Sequence, residues 1–298
     1  MSEMNTASYP RPEEPGFTAR PINTNSYRFV DSHCHLDALE FEQDLQAVRL
    51  RAREGGVDLC LLPAVDKMSF EKVARLAHQF KDVYALGIHP LYTTKAKESD
   101  LDFLVECVSS AQKVHDPRMI AIGEIGLDKS VPGLNWDKQV FFYETQLRTA
   151  SEFNLPVVLH VRQSVDFILK GLRKIRVCGG IAHAFNGSLQ QAHQLIDLGF
   201  KLGFGGALTY PRALHLRKLA KELPIDCIVL ETDSPDIVPS WLYVNAERRS
   251  KGALQARNEP LEILKIAAEL SSLRGISKEE LMYATRQNFF SLFNLNDL

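Results

Sequence analysis

Two histidines, His33 and His35, stand two residues apart in the segment FVDSHCHLD, which begins at Phe29. If this segment is a β-strand, alternate side chains point to the same face, so both imidazoles point one way and Cys34 points the other. Two imidazoles that converge from one strand are suited to binding a divalent metal ion. Two histidines held by hydrogen bonds in a core or at a surface would have the same spacing, so the pair alone does not decide.

Short runs of apolar and β-branched residues alternate with longer segments of helical periodicity from residue 29 onward. The runs predict eight strands, over Phe29–His33, Leu59–Val65, Val83–Ile88, Ile120–Leu127, Val157–His160, Gly180–Ala184, Phe200–Phe204 and Cys227–Leu230. Helical periodicity is found in segments that include Glu42–Glu54, Phe70–Phe80, Asp137–Phe153, Val165–Lys174, Leu189–Leu198, Ala213–Leu223, Pro260–Leu273 and Lys278–Leu292. Eight strand–helix units in about 250 residues predict an α/β fold, a (β/α)8 TIM barrel with parallel strands. A doubly wound open sheet is the alternative, because alternation does not show closure.

In a parallel barrel, the catalytic side chains lie at the carboxyl ends of the strands. Imidazoles, carboxylates and one guanidinium occupy the predicted ends of strands one, three, four, five, six and eight: His33, His35, His89, Glu124, Asp128, His160, Arg162, His183, Glu231 and Asp233. These are too many ligands for one ion, and a carboxylate between histidines suits two divalent ions about 3.5–4 Å apart. The number of potential ligands at this rim therefore favours the interpretation that His33 and His35 bind metal.

The composition limits the other classes of function. The chain has 298 residues, 45% of them hydrophobic, and a formal net charge of −2, so no global positive field attracts nucleic acid. The five cysteines form no C-x-x-C motif, which argues against a disulfide framework or a zinc ribbon and predicts a reducing, cytoplasmic location. No apolar run reaches 18 residues, so we predict no membrane-spanning helix.

The first 28 residues differ from the rest. They contain four of the 14 prolines and no periodic apolar pattern, and they lack the apolar stretch of a signal peptide. We predict that residues 1–28 are a disordered N-terminal extension and that residues 29–298 form a single barrel domain.

Seven motifs, read together, resemble the TatD family of metal-dependent deoxyribonucleases, a branch of the amidohydrolase-like superfamily. They are HCHLD at 33–37, GIHP at 87–90, IGEIGLD at 122–128, LPVVLHVR at 155–162, HAFNGS at 183–188, ETDSP at 231–235 and RNEP at 257–260. The stretch LGFGGALTYPRA and the aspartate after ETDSP are similar to the YjjV-like branch of this family.

The resemblance implies a role for each rim residue. It implies that His33, His35 and Asp233 hold a first metal ion and that Glu124 bridges two ions. His160 and His183 would complete the second site. Asp233 would also orient or deprotonate the attacking water, which makes it a catalytic residue together with the bridging glutamate. We expect two divalent ions per chain, Mg²⁺, Mn²⁺ or Zn²⁺, because imidazoles favour transition ions whereas phosphodiester chemistry often uses magnesium or manganese.

A second set of residues is predicted to contact the substrate: Arg162, Arg257, His89, Arg248 and Arg249. Arginine forks suit phosphate oxygens, and loops near the last strands of such barrels often bind phosphate. For Arg162 the alternative is a surface ion pair. For Arg248 and Arg249 the alternative is a stretch of charged residues that contacts only solvent. Arg257 belongs to RNEP and is expected to brace the site. Glu231 is either a partner of a metal-binding imidazole or a buried carboxylate paired with a basic group.

We predict a hydrolase that cleaves phosphodiester bonds in DNA, including exonucleolytic cleavage of single-stranded ends, through water activated by two metal ions. DNA is the predicted partner, with no membrane and no obligate protein partner. An amidohydrolase-like esterase, lactonase or amidase with the same metals is the alternative. Several such enzymes use a carbamylated lysine as the bridge, and no lysine occupies a strand end here, so Glu124 favours the nuclease-like branch. A non-catalytic metal-dependent binding protein is disfavoured because every ligand position is filled.

Overall fold

The computed structural model describes residues 28–254 and 256–295. Eight parallel strands follow one another in chain order within one sheet. They are β1 (Phe29–Asp31), β2 (Val57–Pro63), β3 (Val83–Leu86), β4 (Met119–Asp128), β5 (Val157–Arg162), β6 (Gly180–Ala182), β7 (Phe200–Phe204) and β8 (Ile228–Leu230). The α-helices are α1 (Leu45–Glu54), α2 (Phe70–Phe80), α3 (Glu98–Lys113), α4 (Trp136–Glu152), α5 (Val165–Lys174), α6 (Leu189–Ile196), α7 (Leu214–Glu222), α8 (Ala246–Ser250), α9 (Ile263–Arg274) and α10 (Lys278–Phe293).

The sheet closes on itself between β8 and β1. The backbone N–H of Ser32 donates to the carbonyl of Leu230 at 2.9 Å, and the N–H of Asp233 donates to the carbonyl of His33 at 2.9 Å. Cys34 and Ser234 form a parallel bridge just beyond the ends of these two strands. The predicted (β/α)8 barrel is therefore confirmed, and the open doubly wound sheet is excluded.

The side chain of Asp31 stabilises this junction between β1 and β8, which is the seam of the barrel. Its Oδ1 accepts a hydrogen bond from the backbone N–H of Thr232 at 2.9 Å, and its Oδ2 accepts one from the hydroxyl of Thr232 at 2.6 Å. Asp31 is fully buried, and these hydrogen bonds satisfy a carboxyl group that burial would otherwise penalise. This contact fixes the first strand, which leads into the His-x-His pair, against the last.

The predicted strands agree with the observed ones within two residues at each end. Helix α3 was absent from the predicted helices, and α8 lies in a segment predicted as loop. The short α8 contains no buried residue, so its sequence has no apolar periodicity to reveal it. Its start is fixed locally instead, because Asn245 accepts a hydrogen bond from the N–H of Arg248 at 2.8 Å.

Apolar side chains bury the strands on both faces, inside the barrel and against the surrounding helices. Alternate positions of the strands, such as Leu59 and Leu61 of β2 or Val83 and Ala85 of β3, form an inner cluster. The positions between them pack against the surrounding helices in a larger cluster. Both faces of the strands are buried, so the strand ends are rigid supports for the polar side chains at the rim.

Part of the N-terminal prediction cannot be compared with this fold, because residues 1–27 lie outside the described residues. Within the described ranges, no helix combines the length and apolar character needed to cross a membrane.

Candidate metal centre

The six residues predicted to bind metal converge at the carboxyl ends of the strands, around the carboxylate of Glu124. Its Oε2 lies 3.2 Å from Nε2 of His33 and 3.6 Å from Nε2 of His35. Its Oε1 faces the other way and lies 3.0 Å from Nδ1 of His160. The glutamate is buried at the middle of the rim, with one oxygen directed at each group of histidines.

The first donor group consists of His33, His35, Glu124 and Asp233. The two Nε2 atoms of the histidines are 3.1 Å apart, and Oδ1 of Asp233 lies 3.6 Å from each of them. Ligand atoms held about 2.1 Å from one ion are separated by about 3.0 Å in an octahedral and about 3.4 Å in a tetrahedral arrangement. The observed distances between these four ligand groups are therefore close to those expected when all of them bind one divalent cation.

The second donor group contains Glu124 and His160 together with His89, whose Nε2 lies 3.4 Å from Oε1 of the glutamate. His183 is placed differently. Its ring stacks on that of His33 with centroids 3.7 Å apart, and its Nε2 lies 3.6 Å from Oδ1 of Asp233. The structure thus groups His183 with the first set of donors and His89 with the second.

Asp128 contacts the ring nitrogen of His160 that faces away from Glu124. Its Oδ2 lies 2.9 Å from Nε2 of His160, while Nδ1 of the same ring faces Glu124. Its Oδ1 accepts hydrogen bonds at 2.7 Å from both the backbone N–H and the hydroxyl of Ser130. A carboxylate on one ring nitrogen fixes the orientation and tautomer of an imidazole and leaves the other nitrogen free to bind metal.

Glu231 has the same relation to His183. Oε1 of this buried glutamate accepts a hydrogen bond from the N–H of Ala184 at 2.7 Å and lies 3.2 Å from Nδ1 of His183. A Cβ atom on Gly203 would lie 2.1 Å from Oε2 of the glutamate, so the glycine makes room for this carboxylate. The structure therefore favours the predicted role of Glu231 as a partner of an imidazole.

The electrostatics of the centre follow from this crowding. Burial disfavours the charged form of His183, but Glu231 and Asp233 outweigh it and raise the pKa of this imidazole to about 10. Burial and the neighbouring His183 lower the pKa of His33 well below its usual range, which leaves its ring neutral. Burial alone would raise the pKa of Glu124, yet the imidazoles around it hold that pKa well below its ordinary value. An anionic glutamate between neutral and cationic imidazoles is a donor arrangement suited to cations.

Two glutamines of α4 hold the backbone on which these donors depend. Gln146 accepts a hydrogen bond from the N–H of Ile88 at 2.7 Å and donates to its carbonyl at 3.1 Å, directly before His89. Gln139 makes the same pair of bonds with the backbone of Asp128, at 2.8 and 3.1 Å. Both glutamines are buried. Their side chains thereby fix the ends of β3 and β4 relative to one helix.

A cleft of about 1280 Å³ opens above the centre. Among its described lining residues, lysine and arginine are represented only by Lys72 and Arg162. The ammonium of Lys72 donates to the carbonyl of Asp37 at 2.6 Å. The guanidinium of Arg162 is exposed, and its Nε donates to the hydroxyl of Ser130 at 3.2 Å. Arg162 is thus the cation positioned to meet an anionic substrate beside the metal centre.

The other predicted substrate-binding residues occupy different positions. His89 lines the cleft, whereas Arg248, Arg249 and Arg257 are outside its lining. Arg257 forms a forked ion pair with Asp44, with both N–O distances 2.8 Å, and its guanidinium lies 4.6 Å from the ring centroid of Phe41. This pairing fits the bracing role expected from RNEP. The next residue, Asn258, is fully buried and donates to the carbonyl of Thr232 at 2.8 Å.

Three features of the site were not predicted. They are the grouping of His89 with the second set of donors, the two glutamine clamps, and Phe167, which lines the cleft while 40% exposed. His89 follows a strand end, which was a signal, but its distance from Glu124 depends on the loop after β3. The glutamines and Phe167 lie in helices, where periodicity marks them as ordinary core or surface positions.

Comparison with known proteins gives consistent matches over the barrel. A protein-family model described as TatD related DNase matches residues 30–294. YjjV of Escherichia coli strain K12, named an uncharacterized metal-dependent hydrolase, is 34% identical over 270 residues, which are 90% of this chain and 98% of the relative. The human protein named deoxyribonuclease TATDN3 is 30% identical over 276 residues, or 89% and 94% of the two chains. The crystal structure of E. coli YjjV matches with a TM-score of 0.80 and 33% identity, covering 90% of this chain and 98% of that one.

Proposed function

The chain belongs to the family of TatD-related DNases and is a metal-dependent hydrolase, and we propose that it cleaves phosphodiester bonds in DNA with water activated by two divalent ions. The observation that carries the proposal is the position of Glu124, with Oε2 at 3.2 Å from His33 and Oε1 at 3.0 Å from His160. A carboxylate with donors on both sides suits a bridge between two ions. The motif resemblance found in the sequence is confirmed at the level of the family.

We assign the residues as follows. His33, His35 and Asp233 would hold the first ion, Glu124 would bridge, and His160 would bind the second ion. For His183 the motif resemblance implies the second ion, whereas its distance of 3.6 Å from Oδ1 of Asp233 favours the first. His89, whose Nε2 is 3.4 Å from Oε1 of Glu124, is a further donor for the second ion. Mg²⁺, Mn²⁺ and Zn²⁺ are the candidate ions, since the donors are imidazoles and carboxylates.

Asp233 is the proposed base. Two divalent ions would supply Lewis acidity to the phosphodiester and lower the pKa of a water molecule. In the metal-free protein burial raises the pKa of Asp233 to about 6. A divalent ion beside it would lower this pKa, so the carboxylate would be anionic and able to accept a proton at neutral pH. Its side chain also lines the cleft, so it can orient the water as well as take its proton.

DNA is the proposed substrate for two reasons. A relative with 30% identity is named a deoxyribonuclease, and Arg162 presents an exposed guanidinium to the cleft, where it would contact a phosphate. Arg248 and Arg249 would contact a longer strand beyond the cleft, while Arg257 supports the loop through its ion pair with Asp44. A cytoplasmic location is part of the proposal, because the five cysteines form no disulfide among the described residues.

An esterase, lactonase or amidase is the second candidate, and one observation favours it. Carboxylates such as Asp37, Asp66 and Asp236 line the cleft, whereas its only lysine and arginine among the described lining residues are Lys72 and Arg162. A small neutral substrate would meet less repulsion there than a polyanion. The two candidates therefore differ in whether Arg162 is needed.

Substrate and metal assays separate the candidates. Protein stripped of metal and reloaded with Mg²⁺, Mn²⁺ or Zn²⁺ is assayed with labelled single- and double-stranded DNA, RNA and simple esters. We expect metal-dependent DNA cleavage that His33→Ala abolishes and that His193→Ala, which replaces an exposed histidine of α6, leaves intact. Ester or amide hydrolysis without DNA cleavage would replace the nuclease proposal by the second candidate.

A further inference from the structure

An aromatic pair stands beside the cleft next to Arg162. Phe167, in the first turn of α5, is 40% exposed and lines the same cleft as Glu124. Trp136, at the start of α4, packs edge-on against it with ring centroids 4.9 Å apart. The ammonium of Lys129 lies 4.1 Å from the centroid of Phe167 and 4.8 Å from that of Trp136. The cation and the tryptophan hold the ring of Phe167 in place while part of its surface remains open to the cleft.

The two cations of this region lie on neighbouring strand ends. The N–H of Lys129 donates to the carbonyl of Arg162 at 3.0 Å, which aligns the end of β4 with that of β5. Arg162 is two residues beyond His160 on β5, a step of about 6.6 Å outward from the metal centre. Positive charge therefore begins immediately outside the proposed second metal site and continues to the aromatic pair.

The rest of the cleft is unfavourable for a phosphate backbone. Asp37, Asp66 and Asp236 contribute carboxylates to its lining, and the ammonium of Lys72 is hydrogen-bonded to a backbone carbonyl. A polyanion is repelled by such carboxylates and attracted by exposed cations. Asp166, beside Phe167, also lines the cleft, and its Oδ1 accepts a hydrogen bond from Gln191 at 2.7 Å. A DNA strand that reaches the metals therefore meets exposed positive charge on the side of Arg162, with Lys129 just outside the cleft lining.

We propose that Phe167 is a stacking platform for a base of single-stranded DNA, with the neighbouring phosphates held by Arg162 and Lys129. This inference rests on the proposed phosphodiesterase function and deepens it by assigning the residue that contacts a base of the substrate. A base must leave its pair to stack on an aromatic side chain, so the subsite selects single strands or frayed ends over intact duplex. Stacking tolerates every base, so the subsite confers little sequence preference.

Binding of the full-length, metal-loaded protein to a labelled single-stranded phosphorothioate oligonucleotide, which resists hydrolysis, tests the proposal by fluorescence anisotropy. We expect Phe167→Ala to weaken binding about tenfold, within the range of one lost base stack. Phe167→Tyr should bind as the wild type does, whereas Phe167→Leu, which keeps apolar bulk without a ring, should bind as weakly as the alanine variant. Phe141→Ala is the matched control, because Phe141 is 43% exposed and lies outside the cleft lining.

An abasic nucleotide moved along the oligonucleotide locates the stacked base. At one position the abasic nucleotide should weaken binding to the wild type about tenfold. At that position it should not weaken binding to the Phe167→Ala variant any further. Lys129→Ala should reduce the slope of log affinity against log salt by about 0.7, one phosphate contact on a single strand. Equal affinities of the wild type, Phe167→Leu and Phe167→Ala would overturn the subsite, while DNA cleavage by the same preparations would leave the proposed function standing. If the wild type binds no DNA at all, both proposals fail together.

Discussion

Asp128 Oδ2 lies 2.9 Å from Nε2 of His160, and the two residues come from the ends of neighbouring strands, β4 and β5. The pairing leaves Nδ1 of His160 directed at Glu124, 3.0 Å away. A side chain outside the proposed ligand set thus determines which nitrogen of the imidazole faces the centre.

Asp128→Asn should weaken metal binding by about 10- to 100-fold, because the amide loses the charge that orients His160 and makes its ring a stronger donor. Isothermal titration of the metal-free protein would measure the affinity, with circular dichroism to check the fold. Asp137→Asn is the control, since that carboxylate is exposed on α4. Equal affinities of the two variants would mean that the contact between Asp128 and His160 has no bearing on the metal.

Glu124→Gln should cost at least one metal ion per chain and nearly all hydrolysis, with the barrel still folded. The glutamine keeps the size of the side chain but removes the negative charge that the two proposed cations would share. Metal content per chain, measured by mass spectrometry after gel filtration, and the rate on DNA would be read together. Full occupancy with an unchanged rate would show that Glu124 does not bridge.

Metal binding should release protons near neutral pH. The pKa of His183 is raised to about 10, so this imidazole carries a proton at pH 7 to 9 in the metal-free protein and must lose it to bind an ion. Affinity should therefore rise with pH through this range. Titration calorimetry in buffers of different ionisation enthalpy should count about one proton fewer for His183→Asn than for the wild type. An equal count in the two proteins would remove His183 from the ligand set.

Arg162→Ala should raise the KM for DNA at least tenfold with a smaller change in kcat, because the proposed phosphate contact of Arg162 would act on substrate and transition state alike. The double variant Arg248→Glu with Arg249→Glu should have a smaller effect, since neither residue lines the cleft. Steady-state kinetics on oligonucleotides of increasing length would separate the two. A larger effect of the double variant would place the DNA path over the loop after β8.

The sequence predicted the barrel and the gathering of donors because both follow from local patterns. The spacing of His33 and His35 correctly placed the two imidazoles side by side. Their alignment does not come from the regular part of β1, which ends at Asp31. Beyond it, the bridge between Cys34 and Ser234 keeps the chain extended, and that contact joins residues far apart in sequence.

Contacts between residues far apart in sequence could not be predicted. The guanidinium of Arg257 is paired with Asp44, which is 213 residues away, so nothing in the local RNEP motif shows that its fork is occupied. Phe167 has the pattern of an amphipathic helix residue, and its position in the cleft depends on how α5 meets the end of β5. Burial and long-range pairing decide such roles, and neither is encoded in spacing.

The seam between β1 and β8 also sets when the enzyme can become active. The first donor group combines His33 and His35 at the start of the barrel with Asp233 at its end, and Asp31 is 201 residues from its partner Thr232. During synthesis the histidines leave the ribosome long before this aspartate exists, and closing so long a loop is entropically costly until the strands between are in place. An incomplete chain therefore has no assembled first site, so hydrolysis can begin only after the whole barrel has been synthesised and has closed.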